Sequence, residues 1–160
     1  VVAAVSRVLR VRGPGRWLDP GPFGCLGVGP GYALGVAAAG GSGPLVVVMG
    51  DGAFGLNGLD VDSLVRLGLT AVFVIGNDGA WGEIRIPQVG IYGPEGEVAT
   101  RLVASRYDRL TEVVGGHAEN VEHPDELGPA LERALASGTT AIVNVMLDPD
   151  AMAGHAYRGL

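Results

Sequence analysis

The spacing of hydrophobic and polar positions changes period several times along the chain. Val1, Val2, Val5, Val8 and Leu9 share one helical face, which predicts a helix over residues 1–10. Residues 12–25 are rich in Pro and Gly and predict a loop. The small, wholly apolar run 28–39 predicts a helix packed closely under a sheet. Residues 45–49 (LVVVM), 71–75 (AVFVI) and 141–147 (AIVNVML) are continuous apolar runs, the mark of strands buried on both faces. Between them, 50–57 reads as a turn and 59–67 as a helix with Asp60 and Asp62 near its positive end. Residues 107–114 read as a helix and 118–121 as a short strand. A further helix opens at Pro124, carries Asp125 and Glu126 in its first turn, and closes before Gly138. Pro87, Gly90, Gly93, Pro94 and Gly96 predict that 80–100 is a long loop following a short helix. Strands alternating with helices, without hairpin turns, predict a doubly wound α/β fold: a mainly parallel sheet with helices on both faces.

Composition narrows the class. A chain of 160 residues with 48% apolar residues suits one domain with a sizeable core and excludes a disordered or fibrous protein. Its 28 glycines follow no Gly-X-Y period; they gather at 13–43, 50–58 and 76–96, which points to tight turns and close approach of backbone to a ligand. Eleven scattered basic residues in a chain of net charge −6 argue against nucleic acid or an anionic membrane as partner. No signal peptide is visible, and no apolar run approaches the roughly 18 residues of a membrane span. The single Cys25 excludes an internal disulfide and fits a reducing, cytoplasmic compartment. With no paired His identifiable, Cys25 reads as a small buried residue. His117, His123 and His155 lack metal-ligand spacing and read as surface residues. The chain begins at Val1 rather than Met, and is expected to be part of a longer polypeptide that supplies the domain's first strand.

Chemistry concentrates at two strand ends, where open α/β sheets bind ligands. Gly50-Asp51-Gly52 follows LVVVM, and Asn77-Asp78-Gly79 follows AVFVI. If these strands are neighbours, a carboxylate, an amide oxygen and a backbone carbonyl converge; these are the hard donors that Mg²⁺ takes alongside phosphate oxygens and water. Gly50 and Gly52 would let backbone N–H groups approach an anion, and the helix start near 55–59 would add donors. Residues 50–55 also form a literal G-x-G-x-x-G with Asp78 beyond it, so a dinucleotide-binding Rossmann domain is the rival reading. That rival leaves Asp51 facing a pyrophosphate unshielded.

Gly50-Asp51-Gly52, then twenty-four residues, then Asn77-Asp78 resembles the signature of thiamine diphosphate enzymes, GDG followed after a similar interval by NN. Upstream, Trp17-Leu18, Gly21 and Gly24-Cys25-Leu26-Gly27-Val28-Gly29 resemble the acetolactate synthase stretch WLSSGGLGAMGFG, in the variant DPGPFGCLG. The resemblance covers nearly the whole chain and implies the C-terminal cofactor domain of an acetolactate-synthase-like enzyme. It implies that Asp51, the Asn77 side chain and the Gly79 carbonyl hold Mg²⁺. Gly50, Gly52, Ala53 and Ala80 would border the diphosphate. Gly24 would accept a hydrogen bond from the cofactor's 4′-amino group, and Leu26 would be the wedge bending the two rings into a V. Two positions depart from the pattern: the wedge is Leu rather than Met, and the second Asn is Asp78.

The reaction implied is decarboxylation of a 2-keto acid and transfer of the acyl unit; relatives acting on 2-hydroxyacyl-CoA or oxalyl-CoA keep an acyl-CoA substrate open. The activating Glu is expected on a pyrimidine-binding domain of a second subunit, in a homodimer or homotetramer, so no catalytic residue is expected in this chain, which alone would be inactive. FAD, if present, would sit in a middle domain outside it. A non-catalytic split subunit is a further reading. Trp81, Glu83, Ile84 and Gln88 fall where either a substrate pocket or a merely packing loop would form.

Overall fold

The computed structural model describes residues 1–41 and 43–151. In chain order the elements are α1 (Val2–Val8), α2 (Val28–Ala38), β1 (Val46–Gly50), α3 (Asp51–Asn57), α4 (Val61–Arg66), β2 (Val72–Asn77), α5 (Gly82–Tyr92), α6 (Asp108–Val114), β3 (His117–Val121), α7 (Leu127–Ala136) and β4 (Ala141–Met146). Short 3₁₀ turns interrupt them at Gly21–Phe23, Gly58–Asp60, Pro94–Gly96 and Pro124–Glu126. The four strands form one sheet in the order β1-β2-β4-β3, with every pair parallel.

The continuous apolar strands bury opposite faces in different clusters. Phe73, Ile75 and Ile142 pack with Ala33 of α2, Phe54 of α3, Val61 and Leu64 of α4, and Leu110 of α6. Val72, Ala141 and Val143 pack with Val121, Ala130 and Ala134, so α7 covers the other face. Alternate residues of one strand thus enter different cores, as expected when both faces are covered. The doubly wound parallel fold is therefore the observed one.

Two stretches differ from expectation. Of residues 50–57, expected to be a turn, Gly50 ends β1 and Asp51–Asn57 form α3 directly after it. Glycine-rich segments are poor helix formers, but here Phe54 is wholly buried and its ring packs edge-on against Phe73 at 6.2 Å and Tyr107 at 5.4 Å. Residues 80–100, expected to be mostly loop, contain the eleven-residue α5 with Pro87 inside it. Proline removes one helical hydrogen bond, but tertiary ties hold the helix. Buried Arg85 donates to Glu97 at 3.1 Å, Asp150 at 2.9 Å and the Pro149 carbonyl at 3.1 Å, while Gln88 bonds both polar backbone groups of Val98.

The seam between β3 and α7 supplies a pH-dependent contribution. Arg133 donates twice to Glu119, at 2.8 and 2.7 Å, and His117 lies 2.9 Å from the same carboxylate. The guanidinium, and then the imidazole, hold the Glu119 carboxyl down at about 2, against an ordinary 4.5. A carboxylate lowered in the folded state stabilises above its unfolded value and loses that contribution as pH falls from about 4.5 to about 2. Arg133→Met should destabilise the fold modestly at pH 7, as loss of a bidentate pair at an exposed guanidinium does. Urea unfolding at pH 7 and pH 3 checks this: the gap between variant and parent should narrow at pH 3, and an unchanged gap would show that the pair is not its source.

Candidate functional site

The β1–β2 register pairs Gly50 with Gly76, so the next residues of each chain, Asp51 and Asn77, emerge side by side at the carboxyl end of the sheet. Both are buried, at 1% and 0% exposure. Asp51 is the first residue of α3, and the backbone N–H groups of Gly52 and Ala80 lie near its carboxylate. Its Oδ2 has neither a hydrogen-bond partner nor solvent. Burial pushes the Asp51 carboxyl up to about 6; the nearby Asp78 carboxylate adds to the shift, and the two N–H donors oppose it.

A buried carboxylate oxygen without a donor costs free energy and is rare in native proteins. A hard cation supplies what is missing here, positive charge and an acceptor for the free lone pairs. Among the described residues no group of three His, Cys, Asp or Glu side chains could hold a metal. A cation at Asp51 must therefore draw on amide and backbone oxygens as well.

Asn77 offers such an oxygen. Its Nδ2 donates to the Ser105 carbonyl at 2.7 Å and to Asn144 Oδ1 at 3.1 Å. Its Oδ1 accepts the Gly79 N–H at 3.2 Å and keeps a second lone pair. Gly79 has φ +61, a left-handed conformation that glycine adopts without strain. The Gly79 carbonyl accepts the Leu102 N–H at 2.7 Å, so it too has one lone pair left. The Trp81 N–H donates to the Thr100 carbonyl at 2.8 Å, completing a short antiparallel contact between 79–81 and 100–102. Ala80 is buried, and its N–H donates to the Asp78 carboxylate at 3.1 Å.

The structure thus brings together Asp51, Gly52, Asn77, Gly79 and Ala80, with half-buried Gly50 and Ala53 beside them. Trp81 lies against Gly52, where a Cβ would meet the indole at 2.7 Å. Gly24 and Leu26 lie on a separate loop. Asn57 anchors that loop by donating to the Gly27 carbonyl at 3.2 Å. Asn57 ends α3, about 9 Å along the helix from Asp51. Gly24 and Gly27 both take positive φ, +58 and +79, and the residues between them project outward. Leu26 is 54% exposed and is not a core residue. Cys25, expected to be buried, is exposed for the same reason.

The other candidates divide. Glu83 and Ile84 are exposed, whereas Gln88 is spent on Val98 and Thr100. His123 is exposed, His117 is half-buried beside Glu119, and His155 lies outside the described residues. Sequence reasoning missed Asn144, Ser105 and Leu102. Asn144 alone carried a signal, as the one polar residue in AIVNVML. The dinucleotide rival meets a specific obstacle: the second position of its G-x-G-x-x-G is a buried carboxylate beside a second carboxylate, where a pyrophosphate would have to approach.

The fold and the paired strand ends define a cofactor-binding α/β domain, and comparison with known proteins places it more closely. Residues 1–145 match the model of the family described as "Thiamine pyrophosphate enzyme, C-terminal TPP binding domain", and the chain belongs to that family. An acetolactate synthase large subunit of Mycobacterium tuberculosis is 52% identical over 136 residues, covering 85% of this chain and 25% of the relative. 2-Hydroxyacyl-CoA lyase 2 of Caenorhabditis elegans is 36% identical over 152 residues (91% of this chain, 23% of the relative), and oxalyl-CoA decarboxylase of Escherichia coli is 38% identical over 139 (86% and 24%). The chain spans about a quarter of the length of these relatives. Among solved structures, a benzoylformate decarboxylase from Polynucleobacter necessarius shares the fold, with a TM-score of 0.78 at 22% identity over 92% of this chain and 28% of that one. Among the described residues no helix is long and apolar enough to cross a membrane.

Proposed function

We propose that this chain holds thiamine diphosphate through a Mg²⁺ ion bound by Asp51, the Asn77 Oδ1 and the Gly79 carbonyl, in an acetolactate-synthase-like enzyme that decarboxylates a 2-keto acid and transfers the acyl unit. The observation that carries the reading is the buried, partnerless Asp51 Oδ2 beside an amide oxygen with a lone pair to spare. When bound, thiamine diphosphate supplies an electron sink for breaking and making carbon–carbon bonds beside a carbonyl. The chain's own residues bind and orient it. Asp51 brings the negative charge that holds the cation, and Asn77 and Gly79 add neutral oxygens. The backbone of Gly52 and Ala53, in the first turn of α3, faces the diphosphate. The Gly24 carbonyl would accept a hydrogen bond from the cofactor's amino group, and the exposed Leu26 side chain would be its apolar prop. The activating Glu belongs to a pyrimidine-binding domain of a second subunit in a cytoplasmic homodimer or homotetramer.

A second reading, an acyl-CoA substrate, is favoured by the lyase and decarboxylase relatives at 36% and 38% identity. Calorimetry on the full-length protein tests the first part: thiamine diphosphate should bind with Mg²⁺, fail to bind in EDTA, and NAD should not bind. Binding that ignores EDTA would defeat the metal bridge. CO₂ release from pyruvate against release from oxalyl-CoA separates the two substrate classes. The 160-residue chain alone should turn over neither; measurable turnover would remove the requirement for a second subunit's Glu.

A further inference from the structure

The amide of Asn77 has two orientations, and only one of them presents oxygen to a cation. The Gly79 N–H on Oδ1 and the Ser105 carbonyl on Nδ2 favour that one, and so does a row of side chains crossing the sheet beneath the site. Asn144 on β4 is wholly buried and pairs in register with Ile75 of β2 on one side and Asn120 of β3 on the other. Its Oδ1 accepts from Asn77 Nδ2 at 3.1 Å, and its Nδ2 donates to Asn120 Oδ1 at 2.8 Å. Asn120 in turn donates through Nδ2 to Glu122 at 3.0 Å, at the end of β3. Each amide in the row is oriented by the next. Glu122 accepts only, so Asn120 must show Nδ2 to Glu122 and Oδ1 to Asn144. Asn144 must then give its Nδ2 to Asn120 and its Oδ1 to Asn77. The row therefore demands Nδ2 from Asn77, in the same sense as the Ser105 carbonyl.

We propose that Asn144 is a positioning residue, which keeps the Asn77 oxygen turned toward the cation and cofactor by accepting the second amide proton of Asn77. The proposal rests on the reading of Asn77 as a cation ligand. A polar residue costs free energy in a strand otherwise built of Ala, Ile, Val and Met, and this one is bonded to Asn77, to Asn120 and to the Met146 sulfur at 3.3 Å. Residues behind metal ligands act on affinity by roughly tenfold to a hundredfold.

The test uses the full-length protein and measures half-saturation by Mg²⁺ at fixed thiamine diphosphate, alongside the melting temperature without either. Asn144→Leu should raise the Mg²⁺ half-saturation at least tenfold. Asn144→Asp, which still accepts from Asn77, should recover most of that loss. Should Asn144→Leu fail to fold, Asn120→Leu, at a half-buried position, removes the group that orients Asn144 and should weaken Mg²⁺ severalfold. A lower melting temperature with unchanged Mg²⁺ half-saturation in either Leu variant would overturn the proposal, as would equal losses in the Leu and Asp variants at 144. Asn77→Ala separates the two readings. If it loses Mg²⁺ while Asn144→Leu does not, the site stands and the positioning role fails; if it binds normally, both fail.

Discussion

Asp51→Ala is expected to weaken Mg²⁺-dependent binding of thiamine diphosphate by more than a hundredfold, because it removes the one charged ligand of the proposed set. The same position makes an opposite prediction without metal. Burial holds the Asp51 carboxyl at about 6, above its ordinary 3.8. A carboxyl raised in the folded state destabilises progressively as pH climbs from about 3.8 to about 6, and the cost is complete above that. With one pKa unit worth about 1.4 kcal/mol, the cost at pH 7.5 is at most about 3 kcal/mol. Asp51→Asn keeps the shape and removes the charge. It should therefore melt above the parent at pH 7.5 in EDTA, with the difference much reduced at pH 4. Adding Mg²⁺ and thiamine diphosphate should reverse the order, since only the parent gains binding free energy. A residue that merely shapes the turn would lower both melting temperatures together. Undiminished cofactor affinity in Asp51→Ala would remove the site from this position altogether.

The paired strand ends were legible because β-branched runs end abruptly at Gly-Asp-Gly and Gly-Asn-Asp-Gly, which marks both the strands and the residues just past them. What no single stretch could state is that β1 and β2 are neighbours in a sheet ordered β1-β2-β4-β3; that follows from which faces the helices cover. The misread segments share one cause. Residues 50–57 and 80–100 are rich in Gly and Pro, and local propensity argues against helix in both, yet Phe54 and Arg85 anchor them through partners far away in sequence. Cys25 went wrong in the opposite sense: a small apolar residue was expected inside, but two left-handed glycines turn it out. Asn144 was passed over because AIVNVML reads as a buried strand whatever its one polar residue does.

Gly52→Ala should weaken both the fold and the proposed cofactor site, against the usual sign of such a change inside a helix. Replacing helical Gly by Ala ordinarily stabilises by about 0.5–1 kcal/mol through reduced backbone freedom. At Gly52, however, the new Cβ would sit 2.7 Å from Cε3 and 2.8 Å from Cζ3 of Trp81. The indole cannot retreat with its backbone. The Trp81 N–H is held by Thr100 at 2.8 Å, and its carbonyl accepts from Ile84 and Arg85 at 2.9 and 2.8 Å at the start of α5, which Arg85 pins in turn. Relief must come from swinging the ring or shifting the first turn of α3, where Asp51 and the proposed diphosphate contacts lie. Overpacking of this kind costs about 1–3 kcal/mol, and cofactor affinity should fall at least tenfold. Gly35, in α2 with open space around its Cβ position, is the internal control: Gly35→Ala should stabilise. Gly52→Ala combined with Trp81→Leu should recover part of the stability lost by Gly52→Ala alone, a positive coupling that a double-mutant cycle would read directly. If Gly52→Ala melted and bound cofactor like the parent, the close approach of Trp81 would have no bearing on how the first turn of α3 is held.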